Sequence, residues 1–130
     1  MKTEELLNNN PLSKELIRQW FFNKMTETIN DDIEVPQDFR DAMIREGVSD
    51  KLLKMHIENN PHCLFEIFDE NELFIDVFKD IFGFSFIINE LKFKNPYFIL
   101  RKKAEFASVE QAMILLEIKL NEIKNTDKND

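Results

Sequence analysis

Only two glycines, Gly47 and Gly83, occur in the 130 residues, and they stand far apart. Glycine is the residue that enters left-handed backbone without steric cost. A chain this poor in it must build most of its turns from Asn, Asp and Pro. It also cannot form the GxGxxG or GxxxxGK[ST] loops, in which several glycines let backbone N–H groups approach a phosphate. Nucleotide binding through those devices is excluded.

The remaining punctuation divides the first half into helices. Asn10-Pro11 supplies an N-cap followed by proline in the first helical turn. Leu12, Leu16, Ile17, Trp20, Phe21, Met25 and Ile29 then recur at helical spacing, predicting a helix over 12–29 that Asn30-Asp31-Asp32 ends. Val35-Pro36 opens a second helix with Phe39, Ala42 and Met43 inward, closed by Gly47. Ser49 and Asp50 offer caps for a third, whose inward stripe is Leu52, Leu53, His56 and Ile57, and Asn59-Asn60-Pro61 stops it. Residues 1–10 and 126–130 are polar and expected to fray.

From His62 the apolar pattern reads as alternating. Phe65, Ile67, Leu73, Ile75 and Val77 share one parity, as residues on one face of a strand do. Asp69-Glu70-Asn71-Glu72 lies between them as a turn, with Asn71 suited to left-handed backbone. This predicts a β-hairpin. Phe82, Phe84, Phe86 and Ile88 continue as a third strand, and Tyr97 to Phe106 as a fourth. Ser108-Val109-Glu110-Gln111 has the form of a capping box, starting a last helix that runs to about Asn125 on a stripe of Val109, Ala112, Met113, Leu116, Leu120 and Ile123. The expected fold is therefore α+β: N-terminal helices, a roughly four-stranded antiparallel meander, and a C-terminal helix packed on the sheet. Length and 43% apolar content suit one domain over 1–130 with its own core.

Cys63 is the only cysteine, so neither an internal disulfide nor a zinc site of several thiolates can form. No stretch approaches the roughly 20 apolar residues that span a bilayer, and residues 1–10 lack an apolar signal-peptide core. A cytoplasmic protein that is not a membrane protein is expected. The net charge of −8 disfavours nucleic acid as a partner. That charge is uneven: residues 31–90 hold fifteen acids against five bases, while residues 91–130 hold eight bases against six acids.

Few residues suggest chemistry. His62 and Cys63 are neighbours whose side chains would diverge along a strand, and Cys63 has the parity of a small core residue, expected to be inert. No His-x₃-His or HExxH spacing provides a metal site, and no cofactor is implied. If the hairpin closes at residues 70–72, Glu66 lies opposite Asp76, framed by Leu64, Phe68, Phe74 and Phe78. Two such carboxylates would suit an acid/base pair, a hard cation, or a socket for a partner's Lys or Arg.

The expected function is a small protein-interaction module rather than an enzyme: an inhibitor, an immunity-type protein, an adaptor, or a phage or mobile-element protein. Its expected contact surface is an acidic, Phe-rich hairpin of Glu66, Phe68, Asp69, Glu70, Glu72, Phe74, Asp76 and Phe78, and its expected partner a protein with a basic surface. Binding of a small apolar ligand and carboxylate- or metal-assisted hydrolysis are the alternatives. Ile114, Leu115 and Ile118 fall on the last helix away from its core stripe, so helix 12–29 covers them or they pair a homodimer. Arg101-Lys102-Lys103 reads as a solvated strand end.

Overall fold

A computed structural model describes residues 2–31, 36–38, 41, 47–90 and 95–128. The first difference from expectation is at the start. Lys2–Asn9, expected to fray, forms helix α1, whose Thr3, Leu6 and Leu7 are buried. Leu6 and Leu7 join the main core, and that burial holds the segment in place. The Asn10 side chain donates to the Leu6 carbonyl (2.8 Å), so it closes α1 rather than capping the next helix. Helix α2 then runs Pro11–Asp31, close to the predicted limits, with Ile17 and Phe21 buried and Leu16, Trp20 and Met25 packed against the same core.

The second predicted helix, with Phe39, Ala42 and Met43, lies almost wholly outside the described residues. Gly47, its expected terminator, has the left-handed φ of +69°. Helix α3, Asp50–Asn59, agrees with the sequence reading: the Ser49 side chain accepts from the Leu52 N–H (3.2 Å), and Leu53 and Ile57 are buried. His56 stacks on Phe21, with ring centroids 5.0 Å apart.

The largest correction concerns residues 61–70. They form no strand. Pro61–Leu64 is a 3₁₀ turn and Phe65–Glu70 is the short helix α4. Pro61 does not merely stop α3; with its fixed φ and no N–H to satisfy, it also starts the next turn. The buried residues are Pro61, Leu64, Ile67 and Phe68, a spacing of three and four. The parity of Phe65 and Ile67 was a coincidence within a segment too short for its period to declare itself. Nor does Asn71 take left-handed backbone; Glu72 does, with φ +63°, while Asn71 donates its side-chain amide to the Ile67 carbonyl (2.7 Å).

The hairpin instead joins β1, Ile75–Asp80, to β2, Gly83–Ile88, in an antiparallel register of Ile75 with Ile88 and Asp80 with Gly83. Asn89 clamps its open end: its Oδ1 accepts from the Phe74 N–H (2.6 Å) and its Nδ2 donates to the Glu72 carbonyl (2.8 Å). Among the described residues the sheet has these two strands only, not the four of the expected meander. In place of a fourth strand, a single antiparallel bridge pairs Phe98 with Phe84.

Helix α5 begins at Arg101 and continues to Lys128. Ser108, taken for its cap, lies buried inside it, and its hydroxyl donates back to the Glu105 carbonyl (2.6 Å), the habit of a serine within a helix. Ala104, Ser108 and Ala112 are all fully buried at i, i+4, i+8. Their ridge extends the Val109–Met113–Leu116 stripe backwards by a turn. The helix packs across both strands and against α2, as a C-terminal helix on a sheet was expected to do.

One carboxylate locks α5 to α2. Glu117, 8% exposed, accepts from the Leu12 and Ser13 N–H groups (both 2.9 Å), and the Ser13 hydroxyl lies 3.1 Å from it. Pro11 has no N–H to offer, so the residue that caps α2 comes from the other end of the chain. A negative charge there also faces the positive end of the helix dipole.

Candidate functional site

The expected pairing of Glu66 opposite Asp76 across a hairpin is not formed. Glu66 sits on α4 and pairs with Lys24 of α2 (3.1 Å), which raises the Lys24 ammonium above its ordinary pKa through that hydrogen bond. Asp76 sits on β1 opposite Ile87. The two acids are therefore not a cross-strand pair. Asp69 and Glu70 are exposed on α4, and Glu72 lies in the following turn, 3.6 Å from Lys119. Phe68 is fully buried in the core and cannot anchor a partner; Phe74 is exposed and Phe78 half-buried. Among the described residues no cluster of His, Cys, Asp and Glu is placed to hold a metal ion.

Cys63 is half-buried beside the core, where desolvation raises its thiol above the usual value. That disfavours the reactive thiolate. His62 is exposed and lies 3.5 Å from Glu105. The pair does not form a nucleophile and base.

A different surface gathers at the hairpin turn. Gly83 has φ +121°, and a Cβ built on it would lie 2.7 Å from the Phe98 carbonyl oxygen. Only glycine lets the 95–100 segment come this close. Phe84 and Phe98 then exchange both backbone hydrogen bonds, at 2.9 and 2.8 Å. Asp80 ties the turn together: one carboxylate oxygen accepts from the Phe82 N–H (2.8 Å) and the other from the Tyr97 hydroxyl (2.7 Å). The bond to Asp80 raises the pKa of Tyr97, keeping it a hydroxyl donor. The Phe82 and Tyr97 rings meet edge to face at 5.6 Å.

These contacts hold apolar side chains out in water. Ile81 and Ile99 are each 92% exposed, Phe82 71%, Leu100 58% and Tyr97 44%. Single exposed apolar residues are ordinary; a contiguous group of them marks an interaction site. Cations lie next to the group in the chain. Lys79 and Arg101 lie over the Phe84 ring, 5.5 and 5.6 Å from its centre. Lys102 and Lys103 are exposed beside them. Among the described residues, none of these four forms a salt bridge. Three of the cations occupy the first turn of α5, which has no acidic residue. There the helix dipole favours negative charge, so the local field is unbalanced.

Sequence reasoning missed this surface because it assigned 97–106 to a strand and Arg101-Lys102-Lys103 to its solvated end. The signal was present in Ile81-Phe82-Gly83, two large apolar residues before the chain's second glycine, where a polar turn is the norm.

A second concave feature runs between α2 and the C-terminal part of α5. It is an open groove of about 630 Å³ lined by Leu12, Leu16, Leu120 and Ile123, with Glu15, Gln19 and Lys124 at its edges. Ile114 and Ile118 on α5 are exposed, whereas Leu115 packs against the core. Among the described residues no helix is long and apolar enough to cross a membrane.

No protein-family model matches the chain, and no curated protein or solved structure matches it either.

Proposed function

We propose that the chain is a protein-interaction module that docks through the apolar tip formed by Ile81, Phe82, Tyr97, Ile99 and Leu100. The observation that carries this is their joint exposure on a turn held by Asp80, Gly83 and the Phe84–Phe98 pair. Water does not favour such a display, and a fold that spends several specific contacts on maintaining it has a use for it. The Phe82–Tyr97 ring pair, held edge to face and through Asp80, fits the role of a central anchor. The acidic segment over 66–76, the contact surface expected from sequence, serves here as a solvated face.

The test is parallel affinity capture with the wild-type chain and with an Ile81→Ser/Ile99→Ser variant. Both positions are almost fully exposed, so the variant keeps its stability. Proteins retained by the wild type and lost from the variant are the expected result. Identical capture profiles would reject the tip as the docking surface.

The α2–α5 groove supports a second reading, binding of an apolar small ligand, since its volume falls within the range of about 300–1,000 Å³ typical of ligand sites. Its breadth and openness make it the weaker of the two. A homodimer through Ile114, Leu115 and Ile118 has less to build on. Leu115 is already packed internally, and stable interfaces bury about 800 Å² per partner, far more than two isoleucines provide.

A further inference from the structure

We infer that the partner presents an apolar pocket ringed by carboxylates, so that an acidic protein segment, not a basic one, seats on the hairpin tip. This rests on the reading that the tip is the docking surface, and it reverses the charge expected of the partner from the composition of the chain.

The argument is one of local charge. Lys79 and Arg101 lie over Phe84 next to the tip, Lys102 and Lys103 follow Arg101 in the first turn of α5, and none of the four has a carboxylate partner among the described residues. Two acids lie close by: Asp80, whose oxygens are engaged by Phe82 and Tyr97, and Glu105, one turn along α5, which lies 3.5 Å from His62. They offset two of the four positive charges, so the tip keeps a net positive charge. The next acid back along β1 from Lys79 is Asp76, exposed and three residues away, about 10 Å along an extended strand. That exceeds the screening length of about 8 Å at physiological ionic strength, so a docked partner meets the tip's cations and not the acidic body.

The same arrangement discriminates. The chain as a whole carries −8, so an anionic partner that approaches the acidic segment over 66–76 is repelled. A compact acidic patch can engage the tip alone. A broad anionic surface such as a membrane or a duplex would extend beyond the tip and oppose the carboxylates of the body. Binding also relieves an internal mismatch, three cations in the first turn of α5 that face the positive end of the helix dipole. Lys79 and Arg101 are held in place over Phe84; Lys102 and Lys103 are free to reach carboxylates.

A displayed library of random 16-residue peptides, selected against the full chain, tests this directly. The peptides expected are those in which Asp or Glu flanks a bulky apolar residue. Their affinity should fall at least ten-fold on Lys102→Glu/Lys103→Glu, and again on Ile81→Ser/Ile99→Ser, with the circular dichroism spectrum and Tm of both variants unchanged. Raising the salt from 0.15 to 0.5 M should weaken the wild type much more than the charge-reversed chain. Peptides that need Ile81 and Ile99 yet lack acidic residues, or that ignore the charge reversal, overturn the acidic partner and leave tip docking intact. Selection that yields no peptide dependent on Ile81 and Ile99 overturns both. Sedimentation with phosphatidylserine–phosphatidylcholine vesicles is run beside it. Retention of the wild type and loss of both variants there would assign the tip to a lipid surface and overturn the inference.

Discussion

Replacing Glu117 by Ala should cost about 3–4 kcal/mol, most of it from two backbone donors rather than from the side chain itself. In the native fold its carboxylate accepts from the Leu12 and Ser13 N–H groups at 2.9 Å, with the Ser13 hydroxyl at 3.1 Å. Ser13 is fully buried, so without Glu117 its N–H has no access to water, a loss of about 1–3 kcal/mol. The Leu12 N–H is only part-buried and borders the open α2–α5 groove, where water reaches it; its loss lies at the low end of that range. The Ser13 hydroxyl keeps the Met113 carbonyl at 3.2 Å and adds little. The carboxylate's interaction with the α2 dipole and the contacts of its methylenes supply the rest. Glu117→Gln keeps one acceptor but turns an amide N–H₂ toward a backbone donor and removes the charge, for a loss of about 1–2 kcal/mol. Urea denaturation is the assay. With a slope of about 1–3 kcal/mol per molar for a small protein, the Ala variant should unfold at least one molar earlier with an unchanged slope. A loss below about 0.5 kcal/mol for Glu117→Ala would show that the α2 N-terminus does not depend on this residue.

Three further substitutions probe separate parts of the fold. Phe68→Ala should cost about 3–5 kcal/mol in the same assay, because the ring is wholly buried, and Phe65→Ala clearly less, because Phe65 is half-buried; equal losses would contradict the helical placement of 65–70. Gly83→Ala should cost about 1–3 kcal/mol, since the new Cβ meets the Phe98 carbonyl at 2.7 Å and φ is +121°, and amide exchange at Phe84 and Phe98 should speed up; unchanged exchange would contradict the close approach. The Asp50 carboxylate is held below its ordinary pKa by its hydrogen bond to Arg18 and then by Lys14, so its stabilisation is present above the unfolded carboxylate pKa and is lost as pH falls through the lower folded value. Asp50→Asn should therefore cost a few tenths of a kcal/mol near neutral pH, as exposed pairs do, and nothing at pH 2; a difference that persists in acid would refute the pairing.

Where residues state their own boundary conditions, the fold was legible in the sequence. The α2 stripe, the Ser49 cap of α3 and the Val109–Leu116 stripe of α5 lie where expected, although the start signals read at Asn10 and Ser108 do not act as caps. Of the strand face read as Phe82, Phe84, Phe86 and Ile88, the last two are buried, whereas Phe84 is half-buried and Phe82 exposed. Legibility failed where two periods fit the same few residues. Phe65-Glu66-Ile67-Phe68 satisfies both a strand and a helical turn, and only the buried Leu64, three positions before Ile67 and four before Phe68, tips the balance. At 101–107 the run Arg-Lys-Lys-Ala-Glu favours helix by propensity, but the apparent cap at Ser108 drew the boundary a further two turns on. The expected pairing of Glu66 with Asp76 followed from these errors. With 65–78 read as one hairpin, Glu66 and Asp76 came together on paper, and the two real neighbours, the 81–82 turn and the 97–100 segment, were separated. Their meeting depends on the Gly83–Phe98 approach, a tertiary contact that no local pattern encodes. Glu117 was likewise invisible, because its partners lie more than 100 residues away.

Hydrogen–deuterium exchange on the full chain, free and saturated with the tightest binder recovered by capture, measures the docking surface itself. Docking through the tip requires protection at 79–84 and at 97–103, with the exposed acids of α4 and the groove between α2 and α5 unaffected. Protection confined to 66–76 would restore the acidic face as the contact surface, and protection confined to 12–19 and 120–124 would assign it to the groove; either pattern, with exchange at the tip unchanged, contradicts the proposed function.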